Sequence, residues 1–282
     1  MEHTGLYDLE LSLFFHRHKL SYSHRNAVEI KQSLGIQRGK TDRIDARRIA
    51  HYIRKERDDL NCSTPPPTSL LQLHRLFSAR ELMVRHNRSF KQHIKSLDAV
   101  KGDPVVKKLQ REQRTISRQY QKRILQLEVE MKTLIRNNKA ISTNYQLLLS
   151  VPGIGPINAI HLLITTKNFT AFATWRQYAA YAGTAPFEYR SGTSIKGRAK
   201  VNHFANKKAK TLLTTAATNA KRYSFEFKSF YEKKLQEGKP KFWIINAIRN
   251  KVISRAFAVI DRQTDYKSVD QFQKWKQEKQ AA

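Results

Sequence analysis

Cysteine is nearly absent: Cys62 is the one thiol in 282 residues. A lone thiol excludes an intrachain disulfide and any zinc site built from cysteines. Long apolar runs are absent too, and no segment reaches the ~20 residues that a membrane-spanning helix needs. The first residues, MEHTGLYDLELSLFF, carry acids and lack a basic lead before their apolar part, so no secretory signal is expected there. Acidic residues are scarce, with 23 against 53 lysines and arginines, a formal charge of +30. Such an excess repels itself in a compact chain, and a polyanionic partner is the economical reading. Nucleic acid is the first candidate and an anionic membrane surface the second. The chain reads as a cytoplasmic nucleic-acid-binding protein, long enough for two modest domains that each bury a core.

Glycine and proline are missing from Ser69 to Asn138 apart from Gly102 and Pro104. The stretch therefore predicts two long helices, 69–100 and 104–138. Leu70, Leu73, Leu76 and Phe77 open the first, and Ile116, Tyr120, Ile124, Leu127, Met131 and Leu134 line the second in steps of three and four. That pattern is a coiled-coil-like hairpin. Lys101 to Lys139 carries a net charge of +7, which suits a face turned to phosphate as well as one turned to water.

Upstream, Leu6, Leu9, Leu13 and Phe14 fall at helical spacing, and a short extended piece is expected around Leu20 to Ser23. A further helix begins near Thr41, with Thr41 as its N-cap and Ile44, Ile49, Tyr52 and Ile53 on one face. Asp42 and Asp45, three apart, project from the same side of its first turn. Spacing alone describes a capped helix with a solvated acidic start. Pro65, Pro66 and Pro67 then form a stiff connector.

The centre of the chain runs from Leu147 to Arg222. Its apolar opening is broken by Pro152, Gly153, Ile154 and Gly155, in the manner of a helix-hairpin-helix. Gly153 and Gly155 would let the backbone turn tightly, and amides at the next helix start can meet a phosphate. Between Arg190 and Arg222 stand nine lysines and arginines and no acid. Lys196, Arg198, Lys200, Lys207 and Lys208 are the candidate nucleic-acid contacts there. A serine beside glycine in such a cation-rich loop is what nucleophilic attack on a phosphodiester needs, because the cations stabilise the added charge. Taken alone, Ser-Gly is most often a turn. A last pair of helices surrounds Gly238, Lys239 and Pro240, with Ile244, Ile248, Val252, Ile253 and Phe257 as core, before a polar end from about Lys267.

Several motifs stand together in one order: E-H-T-G-L-Y from Glu2, GKTDRIDARRIA at 39–50, VPGIGP at 151–156, YAAYAGTAP at 178–186, RSGTSIKGR at 190–198 and EGK at 237–239. In this order they resemble the DEDD insertion-sequence transposases, the group related to the Piv invertase and known for bridge-RNA-guided recombination. The resemblance covers nearly the whole chain. It implies a RuvC-like domain with four acids, a coiled coil, and a transposase domain with a catalytic serine. By motif, Glu2, Asp42 and Asp45 match the family's metal-binding acids, and such oxygen ligands suit Mg²⁺. Ser191 matches the serine that precedes glycine, and Ser194 is the alternative nucleophile. DNA, a structured guide RNA and further copies of the chain are the implied partners, with no membrane.

Two departures accompany the match. The family's first aspartate lies on an opening strand upstream of the glutamate, whereas this chain begins at that glutamate, so an incomplete metal site and weak recombination are expected. Ala205 also stands where the family has a glycine before asparagine. The expected fold is an α/β N-terminal part, a partial RuvC/RNase H-like domain over 1–62. A coiled-coil hairpin over 63–140 follows, then a helical transposase domain with a helix-hairpin-helix over 141–265, and a polar tail over 266–282. The expected function is DNA strand exchange by a serine nucleophile beside a metal-binding site. Two alternatives stand beside it, a non-catalytic nucleic-acid-binding remnant and a metal-dependent junction nuclease.

Overall fold

The computed structural model describes residues 8–25, 27–33, 35, 39, 41–59, 62–100, 102–191, 195–200 and 205–268, with residues 59 and 187–200 described by backbone alone. The chain divides into two units, Met1–Pro67 and Thr68–Ala282.

The first unit holds α1 (Leu9–Arg17), α2 (Ala27–Ser33), α3 (Asp42–Lys55) and a 3-10 turn at Arg57–Asp59. Helix α3 starts where the cap predicts: Thr41 Oγ1 accepts from the Ile44 amide at 3.3 Å. Tyr52 is buried and donates its hydroxyl to Glu29 of α2 at 2.9 Å, which joins the two helices. Residues Leu20 to Ser23 belong to no helix or strand, and the Ser63 amide donates to the Tyr22 carbonyl at 2.7 Å. No strand element forms among the described residues of this unit. The expected α/β, RuvC-like N-terminal part is therefore corrected to a helical one. Its apolar residues recur at helical steps, and one isolated backbone bond does not make a ladder.

The second unit opens with α4 (Thr68–Leu97) and α5 (Pro104–Arg136), a little shorter than expected. Asp103 caps α5 by accepting from the Val105 amide at 2.8 Å, and Pro104 takes the first helical position, where its missing N–H costs nothing. Cross-pairs show the helices antiparallel: Asn138 with Ser69 near the base, Arg80 with Glu128, Ser117 with Asn87, and Gln110 with Asp98 near the tip. Burial of apolar side chains is concentrated at the base, in Leu70, Leu73, Phe77, Leu127, Met131 and Ile135. Further out the buried contact is polar, Ser117 Oγ donating to Asn87 Oδ1 at 2.6 Å.

The body that follows contains α6 (Lys139–Ser150), α7 (Pro156–Thr165), α8 (Trp175–Tyr181), α9 (Lys207–Tyr223), α10 (Phe225–Gln236) and α11 (Lys241–Arg262). Helix α11 runs through its core, with Ile244, Ile248, Val252, Ile253, Ala256 and Val259 at 0% exposure. Helix α9 presents Ala209, Ala216, Ala217 and Ala220, small enough for close backbone approach. Between α8 and α9 the backbone forms an antiparallel ribbon, β1 (Phe187–Ser191) and β2 (Ile195–Lys200). Its serine, glycine and lysine content predicts a loop, whereas the backbone is paired. The β-forming residues Phe187 and Tyr189 on β1 and Ile195 on β2 favour such a two-stranded ladder.

Candidate nucleic-acid interface

The ribbon stands on an anchored base. Helix α8 is held by a capping box between Thr174 and Gln177. Just after it, Thr184 is fully buried, and its carbonyl accepts from Asn246 Nδ2 at 2.9 Å and Asn250 Nδ2 at 3.1 Å. Its hydroxyl donates to Asn250 Oδ1 at 2.7 Å. At the other foot, the Asn206 amide donates to the Tyr181 carbonyl at 2.8 Å, and Asn206 Oδ1 caps α9 by accepting from the Ala209 amide at 2.9 Å. The ladder pairs Ser191 with Ile195, and Ser191 is the last residue of β1. Arg190 pairs with Lys196, two cationic residue types directly opposite, an arrangement that favours an anionic partner. Ser194 lies outside the described residues. The backbone places Ser191, Lys196, Arg198 and Lys200 together on the ribbon.

The two lysines at the start of α9 part company. Lys207 is exposed, whereas the Lys208 ammonium is ion-paired with Glu81 of α4. Arg80 bridges Glu81 at 2.6 Å and Glu128 at 2.8 Å. Lys208 therefore ties α9 to the helical hairpin. Behind it lies His161 of α7, buried and 5.4 Å from the Phe77 ring. Burial first, then the Lys208 ammonium, push the imidazole down to about 4, while Glu81 pulls it the other way. The native state thus holds a neutral ring that the unfolded chain protonates near 6.5. Between those values the unfolded chain binds more protons, so this stability is complete above about pH 6.5 and is lost as the pH falls toward 4. Acidification from pH 7.5 to 4.5 is expected to cost about 2–3 kcal/mol through this ring. Urea melts of the native chain and of His161→Gln check it: the variant must show the smaller pH dependence, and equal slopes reject the assignment.

The VPGIGP turn joins α6 to α7, but its glycines do different things. Gly153 has φ +88, and a Cβ there would lie 2.2 Å from the Ala216 carbonyl oxygen and 2.9 Å from Ala220 Cβ. This glycine lets the turn pack against α9. Gly155 is the N-cap of α7 with open space around it, and Pro156 supplies no amide. The structure shows a helix–turn–helix whose first glycine serves packing.

Among the predicted acids, Glu2 lies outside the described residues. Asp42 and Asp45 sit in the first turn of α3, and Asp45 Oδ1 is held by Arg48 Nη1 at 3.0 Å. Among the described residues no group of three or more His, Cys, Asp or Glu could hold a metal ion. Two carboxylates, one already ion-paired, do not fit a divalent-cation site by themselves. A serine–histidine–aspartate meeting does occur elsewhere: Ser12 Oγ and Asp8 Oδ2 lie 3.0 and 3.1 Å from His24 Nε2. Both partners address the same ring nitrogen, so the group lacks the relay geometry of a triad.

Arg249 and the aromatic residues near the start of α11 carry no site motif in the sequence. Phe242 and Trp243 are exposed, Lys239 lies over the Trp243 ring at 5.9 Å, and Arg249 lies over the Phe242 ring at 5.4 Å. Their signal was hidden, because each reads as ordinary core or surface in a helix-patterned stretch. Among the described residues, no helix is long and apolar enough to cross a membrane.

Residues 145–232 match the family described as Transposase IS116/IS110/IS902 family, and residues 1–99 match a second family described as Transposase. The chain is 31% identical to the pilin gene-inverting protein of Moraxella lacunata, over 92% of this chain and 79% of that protein. The pilin gene-inverting protein of Moraxella bovis matches to the same extent. An uncharacterized insertion element IS110 protein of Streptomyces coelicolor is 33% identical over 43% of this chain and 30% of its own length. With one relative matched along almost the whole chain, and the family's own segment spanning turn, ribbon and basic helix, the chain belongs to the IS116/IS110/IS902 family of DNA transposases.

Proposed function

We propose that the chain exchanges DNA strands through a serine nucleophile at the tip of the β1–β2 ribbon, with Ser191 as the attacking residue and Ser194 as the alternative. One observation carries the reading: the backbone ends β1 at Ser191, at the head of a stretch that holds eight lysines and arginines and no acid through Arg222. In the step, a bond forms between the serine oxygen and phosphorus while the phosphorus–oxygen bond to one deoxyribose breaks. The serine proton ends on the departing hydroxyl. A hydroxyl of the second strand then attacks the phosphoserine, and the serine recovers its proton, so the number of phosphodiester bonds is conserved. Neighbouring cations stabilise the extra negative charge at phosphorus.

A guide RNA that selects the target, and more than one copy of the chain on the paired ends, belong to the same reading. The charge of +30 supports the first, and the need for a nucleophile on each exchanging strand supports the second. The test is Ser191→Ala assayed for strand exchange and for duplex binding. Loss of exchange with binding retained supports the proposal. Retained exchange rejects Ser191.

A further inference from the structure

Arg249 is the feature that the fold leaves unexplained. It is 4% exposed, yet no carboxylate faces it among the described residues. Nη1 donates to Asn246 Oδ1 at 3.1 Å, and the Phe242 ring covers the guanidinium, while Nε has no hydrogen-bond partner. Other arginines of this unit are treated differently. Arg255 on the same helix meets Glu226 at 2.9 Å, and Arg80 meets both Glu81 and Glu128. A buried cation without a counter-charge is expensive, and buried polar groups in native proteins are nearly always satisfied. A missing anion is the direct explanation.

Two further facts say where that anion comes from. Arg249 is linked to the base of the serine ribbon, because Asn246, which accepts from Nη1, itself donates to the Thr184 carbonyl. The side chain also runs back along α11 toward the exposed first turn, where Phe242, at 70% exposure, is its cover. We infer that Arg249 is an anion-receiving residue that pairs with a phosphodiester oxygen of the DNA strand laid across the ribbon's base, once the Phe242 ring swings aside. A guanidinium fork suits that partner, since it donates two parallel bonds to phosphate. Asn246 then serves as the positioning residue that fixes the fork relative to Thr184.

The inference rests on DNA as the partner but not on the choice of nucleophile, so it is tested by binding in a Ser191→Ala background. Arg249→Gln and the parent are titrated with salt against a short DNA duplex and an RNA duplex of equal length, and both proteins are melted. The variant is expected to bind DNA at least roughly tenfold more weakly. Its log K against log salt slope should be smaller by about 0.9, the value of one phosphate contact. Its melting temperature should hold or rise, because the variant no longer buries an uncompensated charge. An unchanged DNA salt slope overturns the inference, as does a change confined to RNA. If Arg249→Gln fails to fold, Arg249→Lys decides: it must keep the slope and bind several-fold more weakly, and wild-type affinity overturns the inference.

Discussion

The Ser191→Ala chain is expected to lose strand exchange by at least about four orders of magnitude, with DNA affinity within a few-fold of the parent. The size of the loss follows from the type of step. A nucleophile that forms a covalent intermediate has no substitute when it becomes a methyl group, and only the background rate left by binding and charge stabilisation survives. Affinity should persist because phosphate contacts are spread over many cations, and one neutral hydroxyl adds little to them. Ser194→Ala separates the two hydroxyls. Its exchange should stay within a few-fold of the parent. A reversed pattern would move the nucleophile to Ser194, and activity in both variants would reject serine chemistry. Recovery of a protein–DNA adduct from the parent, and none from Ser191→Ala, gives the independent readout.

Gly153→Ala is expected to destabilise the second unit by about 3 kcal/mol or more, combining a left-handed backbone cost of about 1–2 kcal/mol with overpacking of similar size. The added Cβ would sit 2.2 Å from the Ala216 carbonyl oxygen and 2.9 Å from the Ala220 amide nitrogen, both backbone atoms of a helix that cannot yield locally. A unit of this length should lose roughly 6–12 °C in melting temperature. Gly155→Ala is the matched control, with open space around its Cβ position and φ −93, and should cost about 1 kcal/mol or less. If both glycines acted only by offering amides to a phosphate, the two variants would melt alike and differ in DNA affinity. Thermal melts without DNA therefore distinguish packing from contact, and equal melting temperatures would reject the packing role of Gly153.

What could be read from residues alone followed local physics. Thr41 announced the start of α3, because a hydroxyl before an apolar-periodic run satisfies an orphan amide. The α4–α5 hairpin was legible because steps of three and four persist from Ile116 to Leu134, with no glycine or proline to interrupt them. The ribbon was not, since serine, glycine and threonine dominate the sequence around it and short strands carry little periodicity. The α/β N-terminal part came with the family likeness and not from the residues, whose described backbone is helical. Lys208 looked like one more cation for phosphate, but its partner Glu81 is 127 positions away. The packing of Gly153 on Ala216 and Ala220 is equally remote in sequence. Arg249 sat in a stretch patterned as core, and a missing counter-ion has no sequence signature at all.

The pinned feet of the ribbon have an evolutionary and practical consequence. Asn206 and Thr184 are clamped to Tyr181, Asn246 and Asn250, so the chain leaves and re-enters the helical body at two set points. Whatever lies between them can vary in length or be exchanged, because doubling a surface segment costs only about 0.6 kcal/mol in closure entropy. The body then acts as a chassis and the ribbon as a cartridge. A chimera that carries a relative's residues between Pro186 and Ala205 should melt with the parent, while its strand-exchange preference follows the insert.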